Sequence, residues 1–510
     1  MPRLTPQRMV RGTAYILAAL MLCHIVLMLN NSKFSSPIPS YLTSGGLGSN
    51  PVDSVPPDEE TSIAGRRRMA SIKAIPVELL QRFARPVPQH LPDQFVQSQL
   101  PDRPLLTQQL QQPLLLTRTP FNFTPVEDPL PLIYSLQNAN ATAILDAMLA
   151  INAEHEILNA QFYNGPITEV IVVQVHDRIG YLYLLIDSLR RVKDVEDCLL
   201  VFSHDVYSSA INALVRSIRF ARVLQIFYPY IKQIYFDRFP GNDPRDCPRD
   251  AGLYRARQLG CNNAEWPDKY GHYRESKYTQ TKHHWLYKMN RLFERSPVLA
   301  NFTGQFVFLE EDHYVVEDLL HMLRLMVAAR KDLSQNVEIL TLGTYEKKPD
   351  FTRNTAQVVV DKWVSSFHNM GMSFSRAIWD QIKPCLPAFC SFDDYNWDWS
   401  LNHILTKCTK RPFQTMVIRI SPRVFHIGQC GVHHKNKVCN PALLSSKLDR
   451  MLANNIAKLY PDQLMFNAKL KIRARALKPN GGWGDLRDRR LCSSFFNSSE
   501  SPPSGLPYGM

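Results

Sequence analysis

The residues best suited to chemistry gather where an apolar run meets acids: Gln305-Phe306-Val307-Phe308-Leu309-Glu310-Glu311-Asp312-His313. In an open α/β sheet, ligands lie in the crevice beyond the carboxyl ends of the strands. Three carboxylates delivered there make an oxygen-rich site for a hard divalent cation. A strand ending in a solvated acidic turn carries the same residues, so the surrounding chain has to decide. Two further runs end in polar groups: Gln174-Val175-His176-Asp177-Arg178 and Ser203-His204-Asp205. The stretch Phe392-Asp393-Asp394-Tyr395-Asn396-Trp397-Asp398-Trp399 sets three acids among four aromatics. That mixture suits a sugar, whose C–H faces stack on rings while its hydroxyls bond to carboxylates. Gln280-Thr281-Lys282-His283-His284-Trp285 offers lysine and imidazole to a phosphate and indole to a ring, with a half-exposed amphipathic helix as the plainer alternative. Adjacent histidines do not share a helical face, which argues against His283 and His284 as a metal pair.

Elements able to position these groups recur from Thr168 onward. Glu169 to Val175 (EVIVVQV) is a nearly continuous β-branched run, the mark of a strand buried on both faces. A helix over 182–192, a strand over 199–203, a helix over 207–219 and a strand over 222–228 follow, and this alternation predicts a parallel sheet wrapped by helices. The segment 232–275 is irregular. Past the acidic strand come a helix over 316–331, a strand over 337–342, a strand over 357–360 and a helix over 377–383. A strand over 415–420 then leads to Val424-Phe425-His426. Apolar spacing over 143–158 predicts a helix docked on this domain. Neither G-x-G-x-x-G after the first strand nor a P-loop is present, so a dinucleotide or P-loop site is not expected.

The chain of 510 residues is 45% apolar and 21% charged, enough for a large core. A formal charge of +13 points to anionic partners, but the basic residues are dispersed. Without a zinc finger, an RNA-binding aromatic motif or a basic zipper, nucleic-acid binding is not expected. Arg3, Arg8 and Arg11 precede Thr13 to Leu29, an uncharged span of 17 residues. This reads as a short type II signal-anchor with a lumenal remainder. A cleaved signal peptide is the rival, though no small-x-small pattern follows the span. Between Asn31 and Pro131 lie 16 of the 36 prolines, in a stretch too poor in sustained apolar periodicity to fold alone. The expected organisation is a cytoplasmic tail (1–12), an anchor (13–29), a lumenal stem (30–140), a catalytic domain (141–500) and a flexible tail (501–510). Asn122, Asn140, Asn301 and Asn497 head glycosylation sequons. Nine of the ten cysteines follow residue 190 and none forms C-x-x-C, which favours disulfides over zinc in an oxidising compartment.

Taken together, the motifs resemble the N-acetylglucosaminyltransferase II family over roughly 165–495. The resemblance rests on Val172-Val-Gln-Val-His176, Phe202-Ser-His-Asp205, Asp243-Pro-Arg-Asp-Cys-Pro-Arg-Asp250, Gly271-His-Tyr-Arg274 and Gln280-Thr-Lys-His-His-Trp285. It extends through Leu309-Glu-Glu-Asp-His-Tyr314, Leu342-Gly-Thr-Tyr345, His368-Asn-Met-Gly371, Phe392 to Trp399 and Asn480-Gly-Gly-Trp-Gly-Asp485. It implies a GT-A glycosyltransferase fold, with a Rossmann-like nucleotide-sugar half joined to an acceptor half. The implied reaction is inverting and Mn2+-dependent, moving GlcNAc from UDP-GlcNAc to an N-glycan mannose at the Golgi membrane. Carried over by position, Asp312 and His426 hold the metal and Asp398 is the general base. Gln174, Val175, His176, Asp177, Arg178, Asp205, Gln280, Thr281, Lys282, His283 and His284 contact UDP-GlcNAc. Glu310 holds the GlcNAc hydroxyls, while Glu311 and His313 support.

The implied disulfides are Cys247–Cys261, Cys385–Cys408, Cys390–Cys492 and Cys430–Cys439, leaving Cys198 as a thiol. Two departures stand out. A close cysteine pair found in some relatives is missing from Lys331 to Asn336, and a loop arginine is replaced by Glu346-Lys347-Lys348-Pro349. Whether Lys347 or Lys348 substitutes for that arginine stays open, as does the choice between monomer and homodimer. A sister transferase acting on the α1,3-arm mannose, a lectin that kept the fold and a metal phosphoesterase are the competing functions. The lectin predicts loss of Asp312, His426 or Asp398, and all three are present.

Overall fold

The computed structural model describes residues 141–346, 348–428, 441–471 and 478–497, all within one compact unit. Its strands are β1 (Ile157–Leu158), β2 (Glu169–Val175), β3 (Leu199–His204), β4 (Arg222–Phe227), β5 (Gln305–Glu310) and β6 (His313–Val315). They continue with β7 (Ile339–Thr341), β8 (Gln357–Lys362), β9 (Met372–Ser375), β10 (Gln414–Ile418), β11 (Val424–His426) and β12 (Met465–Phe466). The helices used below are α1 (Ala141–Glu154), α2 (Ile179–Leu189), α3 (Ser209–Arg216), α4 (Ser276–Asn290), α5 (Leu319–Lys331), α6 (Trp397–Lys407) and α7 (Leu486–Ser494).

One ten-stranded sheet runs β1-β4-β3-β2-β5-β9-β7-β10-β8-β12, and β6 pairs with β11 in a small second sheet. The β-branched run of β2 feeds two apolar layers, as its composition requires. Val170 and Val172 join Leu199, Phe306, Phe308 and Trp285 on one face. Ile171, Val173 and Val175 join Leu182, Leu185 and Leu320 on the other. Register aligns the chemistry: Gln174 pairs with Ser203 on one side and with Glu310 on the other.

The parallel expectation holds for the run β4-β3-β2-β5 and for the pairs β7–β10 and β8–β12. β9 is antiparallel to both β5 and β7, and β10 is antiparallel to β8, so the whole sheet is mixed. β9 escapes sequence reading because Met-Ser-Phe-Ser has no β-branched residue. The helix expected over 143–158 ends at Glu154, where His155 takes a positive φ of 49°. Ile157 and Leu158 instead pair antiparallel with β4. α1 does dock: Asn152 Nδ2 donates to Phe227 O at 2.7 Å and Oδ1 accepts from Phe227 N at 2.8 Å.

Cys247–Cys261, Cys385–Cys408 and Cys390–Cys492 are bonded, and Cys198 is a buried thiol. The Cys430–Cys439 pair, the anchor over 13–29, the stem and the tail over 501–510 lie outside the described residues. Among the described residues no helix is long and apolar enough to cross a membrane.

The small β6–β11 sheet carries a fully buried ion pair at its base. Arg423 donates from Nε and Nη2 to the two Asp318 oxygens at 2.8 Å each, and from Nη1 to Thr355 O at 2.9 Å. Removing one partner of such a pair strands a buried charge. Arg423→Met should therefore lower unfolding free energy by about 3–5 kcal/mol, read as a drop in the urea midpoint at unchanged slope. A loss within experimental error would show that Asp318 finds water or another donor.

Candidate functional site

Glu310 ends β5, Glu311 and Asp312 make the turn and His313 opens β6. Pairing of His426 with His313 across β6–β11 carries a second imidazole to the same place, with His426 Nε2 3.1 Å from Asp312 Oδ2. Arg178, just before α2, spans two of the acids: Nε donates to Glu311 Oε1 at 2.6 Å and Nη1 to Asp312 Oδ2 at 2.7 Å. The other Glu311 oxygen accepts from His176 N at 2.6 Å, so Glu311 is spent on holding the 176–178 loop. Burial raises its pKa in spite of Arg178. Burial acts the same way on Asp312, but the His426 hydrogen bond and the Arg178 charge outweigh it and keep that carboxyl well below the usual range. His426 responds oppositely: burial pulls it down, yet Asp312 leaves it raised overall.

A divalent cation fits these residues. Glu310, Asp312 and His313 bring potential ligand atoms within 4.8 Å of one another, and Asp312 Oδ1 is buried without a partner. His313 is held neutral, its pKa pushed down to about 3 chiefly by burial, and its Nδ1 accepts from Glu310 N at 3.1 Å. That leaves Nε2 as the His313 atom able to reach an ion, a closer role than the supporting one read from sequence. Carboxylate with imidazole suits Mn2+ and its neighbours.

A second cluster lines the ends of β2 and β3. His176 Nδ1 lies 2.6 Å from Asp205 Oδ1; the Asp205 charge lifts His176 to about 9, while Asp205 stays well below the usual range. His284 Nε2 meets Ser203 Oγ at 2.8 Å, and its Nδ1 is 3.6 Å from Asp205 Oδ2. Gln280 Nε2 donates to Asp205 O at 2.9 Å, and Lys288 Nζ donates to Gln174 Oε1 at 2.7 Å. Residues 280, 284 and 288 are successive i, i+4 positions, one stripe of α4 facing the strand ends. Sequence reading missed Lys288, although that spacing pointed to it. Burial lowers its ammonium to about 7.

Other expected donor contacts separate from this cluster. Val175 is buried in the apolar core, and its carbonyl accepts from Asp205 N at 3.1 Å. Asp177 is exposed and Thr281 is half-buried. Lys282 and His283 do not join the cluster, because they lie on the other face of α4. His283 Nε2 meets Asp488 O at 3.0 Å, and Lys282 bonds to the carbonyls of Phe392 and Asp394. α4 is thus buried nearly throughout, not half-exposed.

Asp398 sits in the first turn of α6, where Oδ1 accepts from Trp399 N at 2.9 Å and Oδ2 from Asn369 Nδ2 at 3.0 Å. Part of its surface reaches solvent, yet its dense surroundings, followed by the Glu310 charge, raise it to about 7. The aromatic–acid stretch is not a uniform sugar platform. Trp397 stacks on Trp285 in the core at 5.1 Å, and Phe392 stacks on His403 at 4.1 Å. Asp393 accepts from Lys269 N and Trp483 N, and Asp394 from Asn396 N and Asn480 N. Tyr395 and Trp399 remain partly exposed. Asn369 and Tyr345, whose ring lies 6.2 Å from that of His426, were not assigned roles from sequence. Lys347 lies outside the described residues, and Lys348 is exposed.

Residues 146–492 match the family model described as N-acetylglucosaminyltransferase II. The alpha-1,6-mannosyl-glycoprotein 2-beta-N-acetylglucosaminyltransferase of Rattus norvegicus is 44% identical over 327 residues, 64% of this chain and 74% of the relative. The Arabidopsis thaliana protein of the same name is 31% identical over 360 residues, 66% of this chain and 77% of the relative. Among solved structures, S. aureus TarS 1-349 aligns with a TM-score of 0.27 at 9% identity, over 57% of this chain and 71% of that one. At that score the likeness carries no argument.

Gly428 passes so close to Asp312 and His426 that a β-carbon there would collide with the Asp312 carboxylate and crowd His426 Nε2. Gly428→Ala should weaken the binding of any divalent cation held at this site by at least about tenfold, since ligands must be placed to within a few tenths of an ångström. Electron paramagnetic resonance titration of free Mn2+ measures this without turnover. Unchanged affinity would remove the Asp312–His426 pair from the cation site.

Proposed function

The chain belongs to the N-acetylglucosaminyltransferase II family and is a glycosyltransferase; on that premise we propose that it moves GlcNAc from UDP-GlcNAc, in β1,2 linkage, to the α1,6-arm mannose of N-glycans by a single inverting displacement. The observation that carries this reading is the division of acids between two elements. Asp312 is held ionised in the β5–β6 turn beside two imidazoles, whereas Asp398, on α6, is raised to about 7. Groups whose pKa values are driven apart in this way take different chemical roles.

In this mechanism the polar ends of β2 and β3 bind the nucleotide. Arg178, His176 and Asp205 arrange the loop that faces it, and Gln280 and His284 hold Asp205 from α4. Asp312 with His426, and His313 beside them, would hold Mn2+, which neutralises charge developing on the leaving diphosphate. Glu310, partly exposed at the end of β5, accepts the GlcNAc hydroxyls. Asp398 takes the proton from the mannose hydroxyl as it attacks the anomeric carbon from the face opposite UDP. Its Oδ2 is aimed by Asn369. One displacement needs one base and no nucleophilic carboxylate. The β4-β3-β2-β5 half of the sheet, ending in an acidic turn and followed by a mixed half, is consistent with a GT-A fold. The same reading makes the protein a single-pass type II Golgi membrane protein with its catalytic domain lumenal, anchored by 13–29 and free to dimerise.

Transfer from UDP-[3H]GlcNAc should occur to a biantennary precursor already bearing GlcNAc on the α1,3 arm, and only with Mn2+. Activity confined to the acceptor lacking that GlcNAc would assign the sister reaction instead. The base must be ionised, so kcat should fall about tenfold per pH unit below about 7, the value to which Asp398 is raised. Asp398→Asn should abolish transfer and leave Mn2+-dependent UDP binding nearly intact. If UDP binding collapsed together with transfer, the base role would be refuted.

A further inference from the structure

The resemblance assigns Lys282 to the nucleotide-sugar, and the structure puts its ammonium elsewhere. Gln280, His284 and Lys288 form the α4 stripe that faces the strand ends. Lys282 is half a turn from Gln280, fully buried on the opposite side of the helix. Its Nζ donates to Phe392 O at 3.0 Å and to Asp394 O at 2.9 Å. The ammonium also lies 4.1 Å from the ring centroid of Trp483 and 5.1 Å from that of Phe389. Both carbonyls and both rings belong to the segments that build the approach to Asp398.

The path from the ammonium to the base is short. The Asp394 carboxylate accepts from Asn396 N at 2.8 Å and from Asn480 N at 2.7 Å, closing the turn. Asn396 is the residue from which α6 starts, and Asp398 is two residues on. Ser400 Oγ, one turn into α6, donates to Asn396 O at 2.9 Å and reaches Asp394 O at 3.3 Å. Asp394 O is therefore gripped from both sides, by the ammonium of α4 and by a hydroxyl of α6. Phe392 O also accepts from Asp394 N at 2.8 Å, so each carbonyl already has a donor within the turn or α6, and the Lys282 nitrogen adds a second that ties both carbonyls to α4.

We propose that Lys282 is a positioning residue for the general base: its ammonium clamps the Phe392 and Asp394 carbonyls and so fixes the turn that delivers Asp398. This rests on Asp398 being the base. It also gives the lysine of the KHHW stretch a role in acceptor activation in place of donor binding. α4 then serves both substrates, one on each face.

The test separates the two faces kinetically. Lys282→Met keeps the buried stem and removes the clamp. With the turn freed, kcat should fall about a hundredfold, the usual result of misplacing a catalytic group by about 1 Å. UDP-GlcNAc KM and Mn2+-dependent UDP affinity should stay within about twofold, because interactions with the donor ground state are untouched. The pH profile supplies a readout that a purely structural loss would not move. Asp398 is faced by Glu310 from β5, Asp394 from its own turn, Tyr345 from the loop after β7 and Asn369 from the segment before β9. Its raised pKa comes first from burial, so a loosened turn admits water and shifts the acid limb of kcat to lower pH. Ser400→Ala removes the second grip on Asp394 O and should show the same signature in weaker form, which keeps the test open if Lys282→Met does not fold.

A tenfold rise in donor KM with kcat and the acid limb unchanged would return Lys282 to the nucleotide-sugar and overturn the proposal. A fall in kcat with an unmoved limb in both variants would overturn it too, as a packing effect. Failure of the underlying reading shows differently, as an Asp398→Asn enzyme that keeps the wild-type limb.

Discussion

Three consecutive carboxylates in one corner of a fold repel one another, and the rest of this structure is arranged around that repulsion. Arg178 answers it by bridging Glu311 and Asp312 at 2.6 and 2.7 Å. The loop before α2 must therefore fold back onto the β5–β6 turn, which places His176 against Asp205. β11 must pair with β6 so that His426 reaches Asp312, and a residue with no side chain must follow at Gly428. Even then Asp312 Oδ1 is left unpartnered. A buried carboxylate oxygen with no donor costs free energy unless something else meets it. In a site of carboxylate and imidazole, a divalent cation is the natural answer.

α4 transmits that arrangement across the molecule. Its composition is polar, and yet twelve of its fifteen residues are buried, with Gln280, Lys282, His283, His284 and Lys288 each hydrogen-bonded through at least one side-chain atom. One stripe reaches Asp205, Ser203 and Gln174. The opposite side reaches Phe392, Asp394 and Asp488. The polar ends of β2 and β3 and the turn before α6 thus share a single rigid element, and shifting one disturbs the other. The stacking of Trp285 on Trp397 at 5.1 Å adds apolar contact to the same bridge.

Sequence reading succeeded where local pattern and tertiary role coincide. EVIVVQV reads as a doubly buried strand, and the acids following QFVFLE read as a strand-end site. It failed where role depends on which way a side chain turns. Lys282 and His283 lie in the same motif as Gln280 and His284, but a helix sends them to opposite faces. A resemblance that transfers the stretch as one block cannot show this. Asp393 and Asp394 were legible as acids among aromatics, but not as acceptors for backbone N–H groups, because Asn480 and Trp483 are remote in sequence. Asn369 carried too little local signal, since an asparagine alone predicts no partner, and Lys288 was legible only through its i, i+4 spacing from His284. The antiparallel strand inserted between β5 and β7 was hidden for a simpler reason: β9 is four residues long and lacks β-branched side chains.

The same burial has opposite consequences for Asp312 and Asp398, and the roles proposed for them rest on that contrast. Desolvation is the first influence on both and raises both. At Asp312 a hydrogen bond from His426 and the charge of Arg178 overcome it, leaving a carboxylate that stays ionised at any working pH. At Asp398 no cation is among the main influences from the described residues, Glu310 adds a like charge, and one amide each from Trp399 and Asn369 only moderates the rise to about 7. An ion ligand must not compete for protons, whereas a base that removes one must hold it comfortably near the working pH. Exchanging the two environments would lose both functions. On the proposed roles the base needs an element of its own, out of reach of Arg178, and α6 supplies it.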